Sequence, residues 1–291
     1  MKIVKTKTGD GLFLNGLLSD AINKNNRIII HVHGMAGSIM AEDYFPAMHK
    51  LFPRNGVGFL AGENRGLGTI TGFNTDGERD MEIVGNAFER FEDCLIDIQA
   101  WVDYALGLGY SEIWLFGHSL GCSKIAYFLY KCKHDNITGI ILLSPADMIG
   151  LTREPSEKEN IEAILEEANN NMAIGKDKRL LENKLWGSEI LSAGTALNFF
   201  RTNTNLAVFN FFDDSLGWKT VNLIDVPVFA ISGTKDDGIA PVMDPYMAMD
   251  KLTKELLNSP KVKTIVYEGA EHSFAGFGDR VTQDILEFVD D

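Results

Sequence analysis

The sequence predicts an α/β fold, with a mostly parallel central sheet flanked by helices and a helical insertion late in the chain. Three observations carry this. Short β-branched apolar runs alternate with amphipathic helical patterns, the rhythm of βαβ units. Those runs are almost continuously apolar, as in strands buried on both faces. The 291 residues suffice for one large domain with a sizeable core, or for two small ones.

Along the chain, IVKT and LFLNGLL flank a turn at Gly9-Asp10-Gly11 and read as a hairpin. RIIIHVHG, residues 27–34, reads as a buried parallel strand ending in glycine. Tyr44, Phe45, Met48, Leu51 and Phe52 then share one helical face. VGFLAGENRGLG is a strand feeding a glycine-rich loop. From Phe88, apolar residues recur at Phe91, Leu95, Ile98, Val102 and Ala105, in the alternating steps of an amphipathic helix. The strand EIWLFG, a helix after Ser119 and the strand ITGIILLS follow. The rhythm breaks between about 150 and 220, first in an acidic helix (PSEKENIEAILEEANNNMAIG), then in an aromatic-rich irregular stretch. VPVFAISG and KVKTIVYEG resume the sheet, and RVTQDILEFV closes the chain as a helix. The expected division is a core of residues 1–149 and 220–291, with 150–219 an inserted, mostly helical subdomain.

Composition narrows the function. Hydrophobic residues at 45% and charged residues at 23% describe an ordinary soluble globular chain. The net charge of −14 would repel a phosphate backbone, so no nucleic-acid partner is expected. Three cysteines without a CxxC spacing offer neither a disulfide framework nor a zinc site and read as reduced thiols. The N-terminus lacks the apolar core of a signal peptide, and no stretch approaches the ~18 apolar residues of a membrane span. The expected setting is cytoplasmic.

The most informative stretch is LFGHSLGCSKIAYFL, residues 115–129. Gly117-His118-Ser119-Leu120-Gly121 is G-x-S-x-G between a strand and a helix, the context a nucleophile elbow requires. A sharp strand-to-helix turn would force Ser119 into a strained conformation with its hydroxyl above the sheet. Residues two before and two after it must then be small. The helix start favours an oxyanion, with the Leu120 N–H as first donor.

A serine hydroxyl needs a base, and the base an orienting acid. Of six histidines, His272 in YEGAEHSF follows the last strand, so its loop gathers at the sheet edge that holds Ser119. The others fit less well. His118 is turned aside by the elbow, His31 and His33 alternate at a strand end without a third metal ligand, and His49 and His134 read as solvated. The acid should follow another strand: Asp236 is preferred, with Asp237 and Asp147 as alternatives. HGMAGS would supply the second oxyanion donor, the Met35 N–H.

Together, HGMAGS, NRGLG, GHSLG, GTKDD and GAEHSF resemble the α/β-hydrolase superfamily, in its serine esterase and lipase branch, over nearly the whole chain. The resemblance implies that Ser119 carries the acyl group, His272 is the base, Asp236 orients it, and Met35 and Leu120 form the oxyanion hole. It also implies a structural role for the Arg65 loop, a lid in 150–219, and chemistry without metal or other cofactor. Pro241 stands five positions after Asp236, where four is more usual, which keeps Asp237 open.

The expected activity is hydrolysis of a small-molecule carboxylic ester. Phe199, Phe200, Phe209, Phe211, Phe212 and Trp218 are numerous enough to line an apolar or aromatic acyl pocket, or else simply dock the insertion on the core. Thioester hydrolysis, acyl transfer, C–C bond hydrolysis with the same three residues, and non-catalytic small-molecule binding are the rival functions.

Overall fold

The computed structural model describes residues 1–22, 26–40, 42–76, 80–132 and 135–291; His134 lies outside them. The hairpin is β1 (Lys2–Lys7) and β2 (Phe13–Ser19). Next come β3 (Arg27–Val32), α1 (Phe45–Arg54), β4 (Gly58–Gly62), and a small hairpin of β5 (Thr71–Asn74) and β6 (Met81–Val84). After a 3-10 turn at Phe91–Asp93 the chain forms α2 (Cys94–Gly107), β7 (Glu112–His118), α3 (Leu120–Lys131) and β8 (Ile137–Leu143). The short α4 (Met148–Leu151), α5 (Lys158–Ala173), α6 (Ala193–Phe200) and α7 (Lys219–Asn222) precede β9 (Val228–Lys235). The chain ends with α8 (Pro245–Glu255), β10 (Val262–Glu271) and α9 (Gly278–Asp290).

The main sheet has the order β1-β2-β4-β3-β7-β8-β9-β10. From β4 through β10 its neighbours pair in parallel, and only the β1–β2–β4 edge is antiparallel. Side chains alternate between two cores, as a strand period of two dictates. Ile28, Ile30 and Val32 face α2 and α3, whereas Ile29 faces α1 and α9. Residues of α5 and α6 also belong to the core under α2 and α3.

Two elements depart from the sequence reading. The β5–β6 hairpin occupies what reads as a glycine-rich loop, because its two four-residue strands are mostly exposed and carry no buried apolar run. Between β9 and β10 stands α8, started by Asp244, whose carboxylate accepts the N–H groups of Tyr246 and Met247 at 3.0 and 3.1 Å. Pro245 in its first turn reinforces that start.

This topology positions the site. β4 and β7 flank β3 on opposite sides, and the helices that follow β3 and β7 pack on opposite faces of the sheet. The loops leaving the C-terminal ends of β3 and β7 therefore part company and open a crevice, where ligands bind in such sheets.

Candidate active site

Ser119 sits between β7 and α3 with φ 55° and ψ −126°, a region that non-glycine residues rarely adopt. Its N–H is held by the Leu143 carbonyl at 3.0 Å. The two flanking glycines make the turn possible. A Cβ on Gly121 would stand 2.1 Å from the Val32 carbonyl oxygen, and one on Gly117 would stand 2.6 Å from Gly121. Leu120 opens α3, so its N–H has no intrahelical acceptor. The loop after β3 runs alongside: a Cβ on Gly34 would lie 2.9 Å from Ser119 Cβ and 3.4 Å from the Leu120 nitrogen. Met35, next to it, lines the same cavity as Ser119.

His272 follows β10 and lines that cavity too. Its Nδ1 is 2.6 Å from Asp236 Oδ1. Asp236 immediately follows β9 and is fully buried. Its carboxylate accepts the Gly238 N–H at 3.0 Å and the Ser144 hydroxyl at 2.5 Å. Burial would raise the Asp236 carboxyl, but the hydrogen bond and charge of His272, with Ser144 and Gly238, hold it below the ordinary value. Burial would likewise depress His272, yet the bond to Asp236 and its charge raise the imidazole above 6.5. Among the described residues the Ser119 hydroxyl makes no hydrogen bond.

The alternative acids stand elsewhere. Asp237 is exposed, with its nearer oxygen 3.8 Å from His272 Nδ1. Asp147 is buried and occupied, accepting the N–H groups of Gly150 at 2.7 Å and Phe212 at 2.8 Å. The other described histidines have partners of their own. His31 Nε2 meets the Tyr44 hydroxyl at 3.1 Å, and His33 accepts the Asn64 N–H at 3.1 Å, its pKa lowered to about 3 by burial. His49 is not simply solvated. It pairs with Ser19 at 2.9 Å, and burial lowers it to about 4. His118 donates from Nε2 to the His272 carbonyl at 2.9 Å, its ring 5.0 Å from that of His272. Asp236, Asp237 and His272 have donor atoms within 4.8 Å of one another, but His272 and Asp236 already direct these atoms at each other.

The cavity measures about 430 Å³. Ala146, Met148, Leu151 and Pro241 give it an apolar wall, while Glu154, Ser156, Glu157, Trp186 and Glu189 reach it from the 150–219 segment. The six aromatics expected as pocket candidates are not among its lining residues. Phe199, Phe209, Phe211 and Trp218 are buried in the core, and Phe200 and Phe212 border a different cavity. The five buried ones dock the segment, because large rings gain most from full burial, whereas Phe212 is exposed. Sequence reasoning missed Ser144, His118 as a brace for the His272 loop, and the three glutamates of the cavity. Ser144 alone left a trace, as a hydroxyl at the end of the strand before Pro145.

A family model described as serine aminopeptidase, S33, matches residues 23–276. No curated protein sequence is significantly similar to the chain. Among solved structures, Est1E from Butyrivibrio proteoclasticus with bound ferulic acid is 20% identical, covering 98% of each chain with a TM-score of 0.64. A soluble variant of Saccharomyces cerevisiae monoglyceride lipase, in complex with a substrate analogue, is 16% identical over 98% of this chain and 94% of that one, with a TM-score of 0.66. The Pyrococcus furiosus esterase Pf2001 is 18% identical over 99% and 90%, with a TM-score of 0.64. At these identities the likeness shows the fold. No helix among the described residues is long and apolar enough to cross a membrane.

Proposed function

The chain belongs to the serine aminopeptidase S33 family of α/β-hydrolases, and on that footing we propose that it is a serine hydrolase of carboxylic esters. The observation that carries the proposal is that Ser119, strained at a strand-to-helix turn, and His272 line one cavity, the latter bound at 2.6 Å to a buried Asp236.

With Nδ1–H committed to Asp236, the Nε2 lone pair of His272 takes the proton of Ser119 as its oxygen attacks the ester carbonyl. The Leu120 and Met35 N–H groups receive the oxyanion, each worth about 3 kcal/mol of barrier. His272 then protonates the departing alcohol, leaving an acyl-serine, and activates the water that releases the acid. Residues 150–219 act as the lid, a reading supported by Glu154, Ser156, Glu157, Trp186 and Glu189, which line the cavity from that segment. The cavity's apolar surfaces at Met148, Leu151 and Pro241 take the hydrocarbon part of the substrate.

A fluorophosphonate probe should label the wild type and leave Ser119→Ala unlabelled, and 4-nitrophenyl esters should be turned over only by the former. Absence of labelling in the folded wild type would make this a binding protein. Labelling with turnover of acyl thioesters or amides, and none of esters, would replace the bond type and keep the three residues.

A further inference from the structure

The catalytic cavity carries an unusual charge. Its lining includes four carboxylates, Glu154, Glu157, Glu189 and Asp237, and no lysine or arginine. An acidic protein has acidic surfaces, so the count alone decides nothing. The pairing and distribution of charges do.

Glu154, Glu157 and Glu189 have no lysine, arginine or histidine nitrogen within 4.0 Å among the described residues. Two of them are held by neutral donors instead. Glu157 accepts from the Asn160 amide at 3.0 Å, and Glu189 from Ser188 at 3.2 Å and the Asn86 amide at 3.3 Å. These contacts orient the carboxylates and leave their charge uncompensated. The cations of the same segment face elsewhere. Arg153 and Lys158, each next to one of these glutamates in sequence, border a separate cavity, where Arg153 pairs with Asp213. The stretch between α4 and α5 thus sends Glu154 and Glu157 to the catalytic cavity, and Arg153 and Lys158 to the other one, which Glu162 also lines.

Trp186 adds an aromatic wall beside them. It stands at φ 49° in a tight turn closed by the reciprocal Leu185–Glu189 backbone bonds of 2.9 Å, which brings both Trp186 and Glu189 to the cavity. An indole next to carboxylates is the setting in which alkylated ammonium groups bind.

We propose that the preferred substrate carries a positive charge: an ester with an apolar body and an ammonium or guanidinium group that Glu154, Glu157, Glu189 and Trp186 receive. The proposal rests on the serine-hydrolase reading, since Ser119 and His272, and not the carboxylates, mark the cavity as the substrate site. An anionic acyl or alcohol group would meet four like charges in a partly enclosed space and be rejected.

The test uses isosteric pairs. On the alcohol side, the butyrate ester of 2-(trimethylammonio)ethanol is compared with that of 3,3-dimethylbutanol. On the acyl side, a 4-(trimethylammonio)butanoate ester is compared with the matching 5,5-dimethylhexanoate. The expected result is a kcat/KM about tenfold or more higher for the cationic member of at least one pair at low ionic strength, shrinking as salt is added. In the triple variant Glu154→Gln, Glu157→Gln, Glu189→Gln the ratio should fall to about one. A control triple removing the same charge from exposed sites, Glu159→Gln, Glu166→Gln, Glu182→Gln, should retain it. Equal or better turnover of the neutral members, or a ratio that survives the cavity triple, overturns the proposal. Calorimetry of 2-(trimethylammonio)ethanol binding to Ser119→Ala reads the cation site without catalysis. Binding lost in the cavity triple, in a protein that no fluorophosphonate labels, would uphold the cation site and sink the hydrolase reading; no binding and no preference would sink the cation site alone.

Discussion

At the level of single residues the proposed mechanism turns on which carboxylate would orient His272. Asp236 is buried, hydrogen-bonded to Nδ1 and braced by Ser144 and Gly238, whereas Asp237 meets water. Asp236→Asn should therefore lower kcat by a factor of about 10³–10⁴ with folding intact, through loss of the correct tautomer, while Asp237→Asn stays within a few-fold of wild type. The pH profile has a definite sign. His272 must be neutral to accept a proton, and although burial depresses it, Asp236 raises its pKa above 6.5. The acidic limb of kcat/KM should thus lie above pH 6.5 in the wild type and move to lower pH in Asp236→Asn. A limb below 6.5 in the wild type would mean that another group controls turnover. That Ser119 and His272 would line one cavity was legible in the sequence because one sits in a five-residue motif with its required flanks and the other in a loop fixed by strand order. Ser144 and the His118 brace were not, since each acts through a contact between strands whose register no local pattern encodes.

At the level of elements, close backbone approach does more than propensity. The start of α3 presses against β3, so Gly121→Ala would drive a methyl to 2.1 Å from a main-chain oxygen that cannot yield. Loss of soluble protein, or destabilisation of about 3 kcal/mol or more by urea titration, is expected. Asp147 works differently, tying α4 to the chain at Phe212 through two backbone N–H groups. Asp147→Ala strands both donors and should cost about 1–3 kcal/mol of stability, seen as a lower Tm, with fluorophosphonate labelling of Ser119 preserved. Loss of labelling at a temperature where Asp147→Ala is folded would instead give this residue a part in the chemistry. The long strands and amphipathic helices could be read from periodicity. The β5–β6 hairpin could not, because strands of four mostly exposed residues have no apolar rhythm, and α8 escaped although its Asp-Pro start was in plain view.

The whole molecule sets a limit on how the 150–219 segment can behave. If it were a detachable cap, its apolar side chains would form a core of their own. Instead Ile164, Phe199, Phe209 and Phe211 join the cluster that also contains Ile28, Ile30, Leu115 and Leu142 from the centre of the sheet. Removing the segment would strip that cluster of several fully buried rings, each worth about 1.5–3 kcal/mol of burial, against a total stability of only about 5–15 kcal/mol. Replacing residues 150–219 by a short glycine–serine linker should therefore yield an aggregated or unfolded chain. In the intact protein, tryptophan fluorescence, which reports Trp186 and Trp218 in the segment together with Trp101 and Trp114 in the core, should follow the same urea transition as the far-ultraviolet helix signal. Two separated transitions would show that the segment unfolds by itself. A single one would tie the stability of the segment to that of the sheet, as their shared cluster requires.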